Sequence, residues 1–217
     1  WEFGKYRNSY QIGFTEPWLF GSKTSLGVDL FNVTRDLDYY TEKRTGANLR
    51  LGRRLSRHWS LFDTYLVERV RISDVSEYYS DPTTSHYIPN SLNTTSSMTP
   101  RIVFDNRNNY FDPSHGWKHE LSVEVAGGPF GANKNFIKTT HDSSYFFPLF
   151  WKFVVGNHVR LGYSKGYRAR DRYTDVPVYE RFFCGGTDTV RGYEERSIGP
   201  AVGGRALFVW NTELKFP

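Results

Sequence analysis

The two residues that point most directly to a function are an arginine in a glycine-rich stretch and a glutamate near the end of the chain. Arg191 lies between glycines, and Glu213 lies on the polar side of an alternating segment. In a partly dehydrated space, a guanidinium and a carboxylate form a directional, charge-assisted pair. Such a pair would anchor a loop rather than make or break covalent bonds. The alternative interpretation is that Arg191 is one solvated loop charge among 28 Lys and Arg residues.

The stretch around Arg191 has the composition of a loop with a defined shape. Glycine permits backbone angles with positive φ, and a Gly-Pro pair ends a segment, so this loop is not expected to be a floppy one. The residues predicted to shape it are Gly185, Gly186, Gly192, Gly199 and Pro200.

Residue groups for covalent catalysis or metal binding are not evident in the sequence. The six histidines are scattered without a spaced Cys, His or carboxylate partner, and Cys184 is the single cysteine. Glu120, Glu124 and Glu213 could suggest a two-carboxylate hydrolase, but charged residues are ordinary on the inner faces of barrels. We therefore predict no enzymatic activity, no cofactor and no metal site.

The segments that would position these residues alternate between apolar and polar side chains, which is typical of β-strands with one apolar face. The clearest segment runs from Trp117 to Ala126, with Leu121 and Val123 on one side and Glu120 and Glu124 on the other. Similar alternation elsewhere predicts about nine strands of roughly 10 to 14 residues, the length that tilted strands need to cross a bilayer.

The composition leaves two classes of protein open. Aromatic residues make up 18% of the chain, yet the mean hydropathy of -0.58 is that of a polar protein. Either the protein is a soluble β protein with many aromatics, or it is a membrane barrel whose apolar outer face is hidden in a hydrophilic average. No apolar run has the length of a membrane-spanning helix. The net charge of +5 is interspersed along the chain, which does not favour nucleic-acid binding.

Connections of different length are predicted at the two ends of the strands. Long polar loops are expected at residues 32–43, 74–97 and 164–204, with mostly shorter turns at the other end, an asymmetry typical of outer-membrane barrels. The whole chain, residues 1–217, is predicted to be one partial transmembrane β-barrel domain. Alternation places Glu213 on the face that would line the barrel, where the inward-folding loop 164–204 could bring Arg191 to it.

One strand has a weaker pattern than the others. In the segment that begins at Trp59, the apolar residues share their face with a glutamate, while arginines lie on the opposite face. The residues expected on the apolar outer face are Phe62, Leu66, Val70 and Ile72, together with Glu68.

The glycine-rich stretch resembles the signature loop of the BamA family of outer-membrane insertases. Its tip is Val190, Arg191, Gly192 and Tyr193, and Ile-Gly-Pro closes it. Three further segments are similar to features at the periplasmic side of that family's barrel: residues 15–21, 104–116 and 211–217. The Val-Arg-Gly-aromatic tip belongs to a whole superfamily, whereas the flanking Gly-Gly and Ile-Gly-Pro favour BamA.

This resemblance implies a fold and a set of partners. It implies the middle part of a barrel of roughly sixteen strands, preceded by POTRA domains in the periplasm. It also implies assembly and insertion of β-barrel proteins into the bacterial outer membrane, with Arg191 braced by Glu213. The implied partners are unfolded outer-membrane proteins as substrates, the lipid bilayer, and periplasmic or accessory lipoproteins, without nucleic acid.

Two other functions remain open from the sequence. The first is an outer-membrane channel of the same superfamily that secretes or translocates polypeptides. The second is a soluble β-sandwich or barrel with an aromatic binding groove, which predicts a protein that stays monodisperse without detergent.

Overall fold

The computed structural model describes residues 2–4, 6–84, 86–167 and 176–216. Ten antiparallel strands in these ranges form one sheet, in which every strand pairs with its neighbours in the chain. They are β1 (Glu2–Phe3), β2 (Arg7–Glu16), β3 (Thr24–Leu37), β4 (Tyr40–Arg54), β5 (Trp59–Ser73), β6 (Ser91–Asp105), β7 (Gly116–Ala126), β8 (Phe136–Pro148), β9 (Val154–Gly166) and β10 (Ala206–Lys215). The predicted all-β, up-and-down architecture is confirmed. The strand beyond the predicted nine is the two-residue β1, which pairs with β2.

Seven neighbouring strands place an apolar residue at the same level on one face of the sheet, which we call the outer face. Most of these side chains are exposed in this chain. An exposed apolar row of this width is unfavourable in water, and it matches the apolar band of a membrane barrel. Each member of the row lies directly opposite the next: Phe14, Val28, Leu49, Tyr65, Met98, Val125 and Ile137.

The prediction of a loop at residues 32–43 is wrong. These residues extend β3 and β4, and the chain reverses at Asp38 and Tyr39, so that Leu37 lies opposite Tyr40. Polar side chains on both faces hid the strands, because alternation is required only where one face meets an apolar environment. Beyond such a band, cross-strand backbone hydrogen bonds are enough to continue the ladder.

The loop predicted at residues 74–97 is also shorter than expected, because β6 begins at Ser91. The first half of β6 is polar, yet Asn93, Thr95 and Ser97 are buried on the face opposite the outer face. We call that side the loop face. A strand whose buried side chains are hydroxyls and amides lacks the apolar signal on which the prediction depended.

The prediction of which residues of β5 lie on the outer face is wrong. Val70, Ile72 and Glu68 are buried on the loop face, and Phe62 and Leu66 share their parity along the strand. The outer face carries the alternate residues of the strand, which are Trp59, Leu61, Tyr65 and Val67. The alternation was read correctly, but the more apolar side of β5 is covered by protein rather than by lipid.

The lengths of the connections do not divide as regularly between the two ends of the strands as predicted. One end has residues 17–23, 55–58, 106–115 and 149–153, and the other has 38–39, 74–90, 127–135 and 167–205. Four one-turn 3₁₀ helices lie within them: Leu19–Gly21, Glu77–Tyr79, Gly128–Phe130 and Val178–Glu180. None of the helices in the described residues is long and apolar enough to cross a membrane.

The buried core lies where the connection between β9 and β10 packs on the loop face. A second, smaller cluster joins Ala126, Phe136 and Val176. A single sheet has no core of its own, so the connection supplies the second layer. The main cluster consists of Tyr40, Val70, Ile72, Ile88, Val178, Tyr179 and Val202.

Candidate functional site: the long loop and its anchors

The connection between β9 and β10, which we call the long loop, is folded back on itself. Because β9 continues to Gly166 and β10 begins at Ala206, the described parts of the loop are residue 167 and residues 176–205, whereas 164–204 was predicted. Residues 168–175 of the predicted loop lie outside the described residues. The first arm of the loop (176–184) and its second arm (198–205) pair at two β-bridges, Phe182 with Gly204 and Cys184 with Ile198. Residues 185–197 between the arms form the tip. The backbone hydrogen bonds between the arms give the loop a defined shape.

The glycines singled out in the sequence lie at the turns of this loop. Gly185, Gly186, Gly192 and Gly199 have φ of 106°, 94°, 87° and 96°, in the left-handed region that favours glycine. A Cβ at Gly186 would overlap the carboxylate of Glu195. Side chains other than hydrogen are therefore strained at these turns.

The last residue predicted to shape the loop, Pro200, lies at the start of the second arm. Pro200 follows Gly199, and its carbonyl accepts a hydrogen bond from the amide of Gly203 at 2.8 Å. At the other end of the tip, the amide of Gly185 donates to Oγ1 of Thr189 at 2.8 Å. These bonds satisfy backbone groups that a turn would otherwise leave unpaired.

The tip is held against β9 and β10 by polar contacts. Nη1 of Arg191 lies 2.7 Å from Oε1 of Glu213, with 75% and 49% of the two side chains exposed in this chain. Nδ2 of Asn211 donates to the carbonyl of Thr189 at 2.8 Å. Nη1 of Arg160 donates to the carbonyl of Asp188 at 3.4 Å. We call Arg191 and Glu213 the tip pair.

The other predicted tip residues take different positions. Val190 lines a cavity of about 670 Å³ between the tip and the sheet, together with Arg191 and Glu213. Tyr193 is exposed, and its carbonyl accepts a hydrogen bond from the amide of Gly186 at 3.1 Å.

The first arm carries a second set of charges, which the sequence interpretation missed. Oε1 of Glu180 lies 3.4 Å from Nη1 of Arg44, and its Oε2 lies 3.0 Å from Nζ of Lys138. Arg44 also pairs with Glu42 at 2.8 Å and with Glu68 at 3.4 Å. We call these five residues the Glu180 cluster.

Packing around the Glu180 cluster removes the first arm from solvent. The carbonyl of Tyr179 accepts a hydrogen bond from Nη2 of Arg44 at 3.0 Å, and its ring lies under the same guanidinium. Burial raises the pKa of the Tyr179 hydroxyl, which lies 3.4 Å from Oγ1 of Thr95. The Phe182 ring lies 5.3 Å from Nζ of Lys138 and against Gly162 of β9, where a Cβ would come within 2.6 Å of it.

Comparison with known proteins identifies the family to which this chain belongs. The complete chain, residues 1–217, matches the model of the Omp85 superfamily domain. This chain belongs to the Omp85 superfamily. The predicted resemblance to BamA is confirmed by relatives and by a solved structure.

Among curated proteins, the Omp85 chain is similar to two outer membrane protein assembly factors named BamA. The one from Nitratidesulfovibrio vulgaris is 27% identical over 199 residues, covering 91% of this chain and 24% of that protein. The one from Neisseria meningitidis serogroup B is 30% identical over 115 residues, covering 48% and 14%. Sorting and assembly machinery component 50 homolog B of Xenopus laevis is 23% identical over 224 residues, covering 99% and 46%. The chain thus spans less than half the length of these relatives.

The fold is also similar to that of a solved Omp85 barrel. The crystal structure of BamA from Haemophilus ducreyi lacking POTRA domains 1-3 matches with a TM-score of 0.82 and 21% identity, covering 96% of this chain and 45% of that one. This likeness establishes the fold as part of a BamA-type barrel.

Two of the three carboxylates considered in the sequence are engaged in ion pairs, and the third, Glu124, lies across from Lys138 in the sheet. Glu120 pairs with Arg101 at 2.9 Å and with Lys118 at 3.2 Å, while Glu213 belongs to the tip pair. Within the described ranges, no three His, Cys, Asp or Glu side chains are grouped so that they could hold a metal ion.

One signal in the sequence could have revealed the Glu180 cluster. Arg44 has the same parity along β4 as Asn48 and Arg50, opposite to that of the apolar Leu49. The predicted loop at residues 32–43 included Glu42, and Glu68 was expected on the outer face, so the predicted arrangement kept both glutamates away from Arg44.

Proposed function

We propose that this chain is part of a protein that assembles β-barrel proteins and inserts them into the bacterial outer membrane. The observation that carries the proposal is a loop folded onto one face of an apolar-backed sheet, with its Arg191 tip against Glu213. Membership of the Omp85 superfamily and the names of the BamA relatives support it. Those names favour assembly over polypeptide secretion, which was the alternative.

The exposed apolar row on the outer face supports a location in a lipid bilayer. In hydrocarbon, every backbone amide and carbonyl needs a partner, which a closed barrel provides and an isolated strand does not. An incoming strand therefore needs hydrogen-bonding partners while it enters. We infer that the intact protein lowers this barrier by offering a sheet edge, and that it catalyses no covalent reaction.

The partners that follow from this function are part of the same proposal. Unfolded outer-membrane β-barrel proteins are its substrates, the lipid bilayer surrounds its outer face, and periplasmic or accessory lipoproteins complete the assembly complex. In this arrangement the loop face lines the lumen, the tip pair braces the loop there, and Val190, Gly192 and Tyr193 complete the anchoring motif.

Reconstitution of the full-length protein in liposomes tests the proposal. An unfolded barrel protein is added, and its folded fraction is measured by heat-dependent migration and by protection from protease. We expect faster insertion than into protein-free liposomes, and a slower rate for Arg191→Ala. Arg191→Lys is the matched control, because it keeps the charge but loses the guanidinium fork.

Two results would contradict the proposal. Insertion no faster than in protein-free liposomes would exclude an assembly function. Conductance together with export of one specific polypeptide, without insertion, would instead indicate a secretion channel.

A further inference from the structure

We propose that Glu180 is a second positioning residue of the long loop, which holds the first arm on the sheet independently of the tip pair. The position of Glu180 on the sheet does not depend on the function proposed above. Only the effect of that position on the insertion of barrel proteins rests on the proposed function.

A single carboxylate joins two distant strands. Oε1 of Glu180 faces Arg44 on β4, and Oε2 faces Lys138 on β8. Three strands, β5, β6 and β7, separate β4 from β8 in the sheet. Glu180 can therefore make both contacts only if the first arm lies across the loop face and the sheet curves around it.

The cation on β4 is also held by two carboxylates of the sheet itself. Nε of Arg44 donates to Glu42 at 2.8 Å, and Nη1 is shared between Glu68 and Glu180 at 3.4 Å each. The side chains of Glu42 and Glu68 are each 2% exposed. Because these carboxylates orient the guanidinium, little side-chain freedom is lost when Glu180 docks.

The cation on β8 is required for a different reason. Glu124 lies directly across from Lys138 on β7, so Lys138 stands between two acids. Carboxylates of like charge destabilise one another when no cation separates them. Lys138 therefore allows Glu180 to approach a part of the sheet that is already acidic.

The native Cys184 provides a readout of loop position. It lies on the first arm, is half-buried, and its carbonyl accepts a hydrogen bond from the amide of Ile198 at 3.0 Å. Its thiol must be reached by a reagent, so local opening of the arm raises its rate of modification.

The experiment measures maleimide modification of Cys184 in the full-length protein in liposomes, with peptide mass spectrometry to identify the site. We expect Glu180→Gln to be modified about tenfold faster than the parent, because hydrogen bonds to two charged partners are weakened. Lys138→Met should increase the rate less when it is added to Glu180→Gln than when it is added to the parent, because the two changes share the contact between Glu180 and Lys138. Adding Arg191→Ala should multiply the effect, because the tip pair is separate.

Arg101→Gln is the matched control. It removes another ion pair of the loop face, with Glu120 at 2.9 Å, and leaves Glu120 its contact with Lys118. We expect its Cys184 to be modified at the parent rate. Heat-dependent migration shows that each variant is folded. An unchanged rate in Glu180→Gln, or an equal increase in Arg101→Gln, would overturn the proposal.

Measuring insertion of a barrel substrate by the same variants separates this proposal from the function. Faster modification of Cys184 with normal insertion would support Glu180 as a positioning residue and contradict the role of loop position in insertion. Normal modification with slower insertion would contradict the proposal for Glu180 and leave the assembly function standing.

Discussion

The long loop is held at two places by ion pairs that differ in burial more than in distance. The tip pair has the shorter contact, 2.7 Å, but its side chains are 75% and 49% exposed. Glu180 has contacts of 3.0 and 3.4 Å with a side chain that is 8% exposed. Exposed pairs contribute about 0–1 kcal/mol, whereas removing one partner of a buried pair costs about 3–5 kcal/mol. Burial therefore predicts that Glu180 is the stronger anchor, although the tip pair has the shorter contact.

The difference suggests separate roles for the two ends of the loop. The first arm is fixed by buried charges and by the packing of Val178 and Tyr179. The tip is fixed by contacts that water and salt can replace. We therefore expect the tip to be released from the sheet more readily than the first arm.

The largest effect is expected for Lys138→Met. It removes the cation between Glu180 and Glu124 and leaves Glu180 only its 3.4 Å contact with Arg44, which should lower the free energy of unfolding by about 3 kcal/mol. Urea titration in detergent, followed by heat-dependent migration, measures the change. Glu180→Gln should cost less, because it removes one carboxylate from an acidic cluster. A larger loss for Glu180→Gln would contradict this account of the charges.

An intermediate effect is expected where the first arm touches β9. Gly162→Ala should lower the free energy of unfolding by about 1–3 kcal/mol, because its Cβ would come within 2.6 Å of the Phe182 ring. Gly156→Ala on the same strand is the matched control, since its Cβ would lie 3.2 Å from the Phe146 ring. Equal losses of unfolding free energy in the two variants would show that the contact between Gly162 and Phe182 of the loop adds nothing to the cost of the substitution.

The smallest effect is expected at the tip. Arg191→Ala and Glu213→Gln should each change the free energy of unfolding by about 1 kcal/mol or less, and the double variant by no more than either. Unfolding at low and high salt measures the contribution of the pair, which should fall as salt rises. A loss as large as that of Lys138→Met would reverse the ranking of the two anchors.

Much of the fold could be predicted because one face of the sheet is apolar. On β7, the side with Trp117, Leu121 and Val123 alternates with a side that carries Lys118 and two glutamates, and the structure has that strand at Gly116–Ala126. Where both faces are polar, as in the first half of β6, the alternation disappears, and that half of the strand was predicted to be a loop. Periodicity therefore reports the environment of a strand more directly than its hydrogen bonding.

Part of the site could be predicted for the same reason. Alternation along the last strand put Glu213 on the inner side, and the structure has Arg191 within 2.7 Å of it. The partners of Glu180 could not be found in this way, because they depend on the register of β4 and β8 and on the path of the loop. Alternation does not decide whether lipid or protein covers an apolar face, as β5 demonstrates.

The sequence by itself determined the family, the strand-forming character of the chain, and a tip whose glycines permit its turns. Only the tertiary structure decided which charges meet. Arg44 and Glu180 are 136 positions apart in the chain, and they come together because the loop folds across the sheet. The physical reason is that side-chain pattern is a local property, whereas the pairing of buried charges depends on which segments exclude water from the same space.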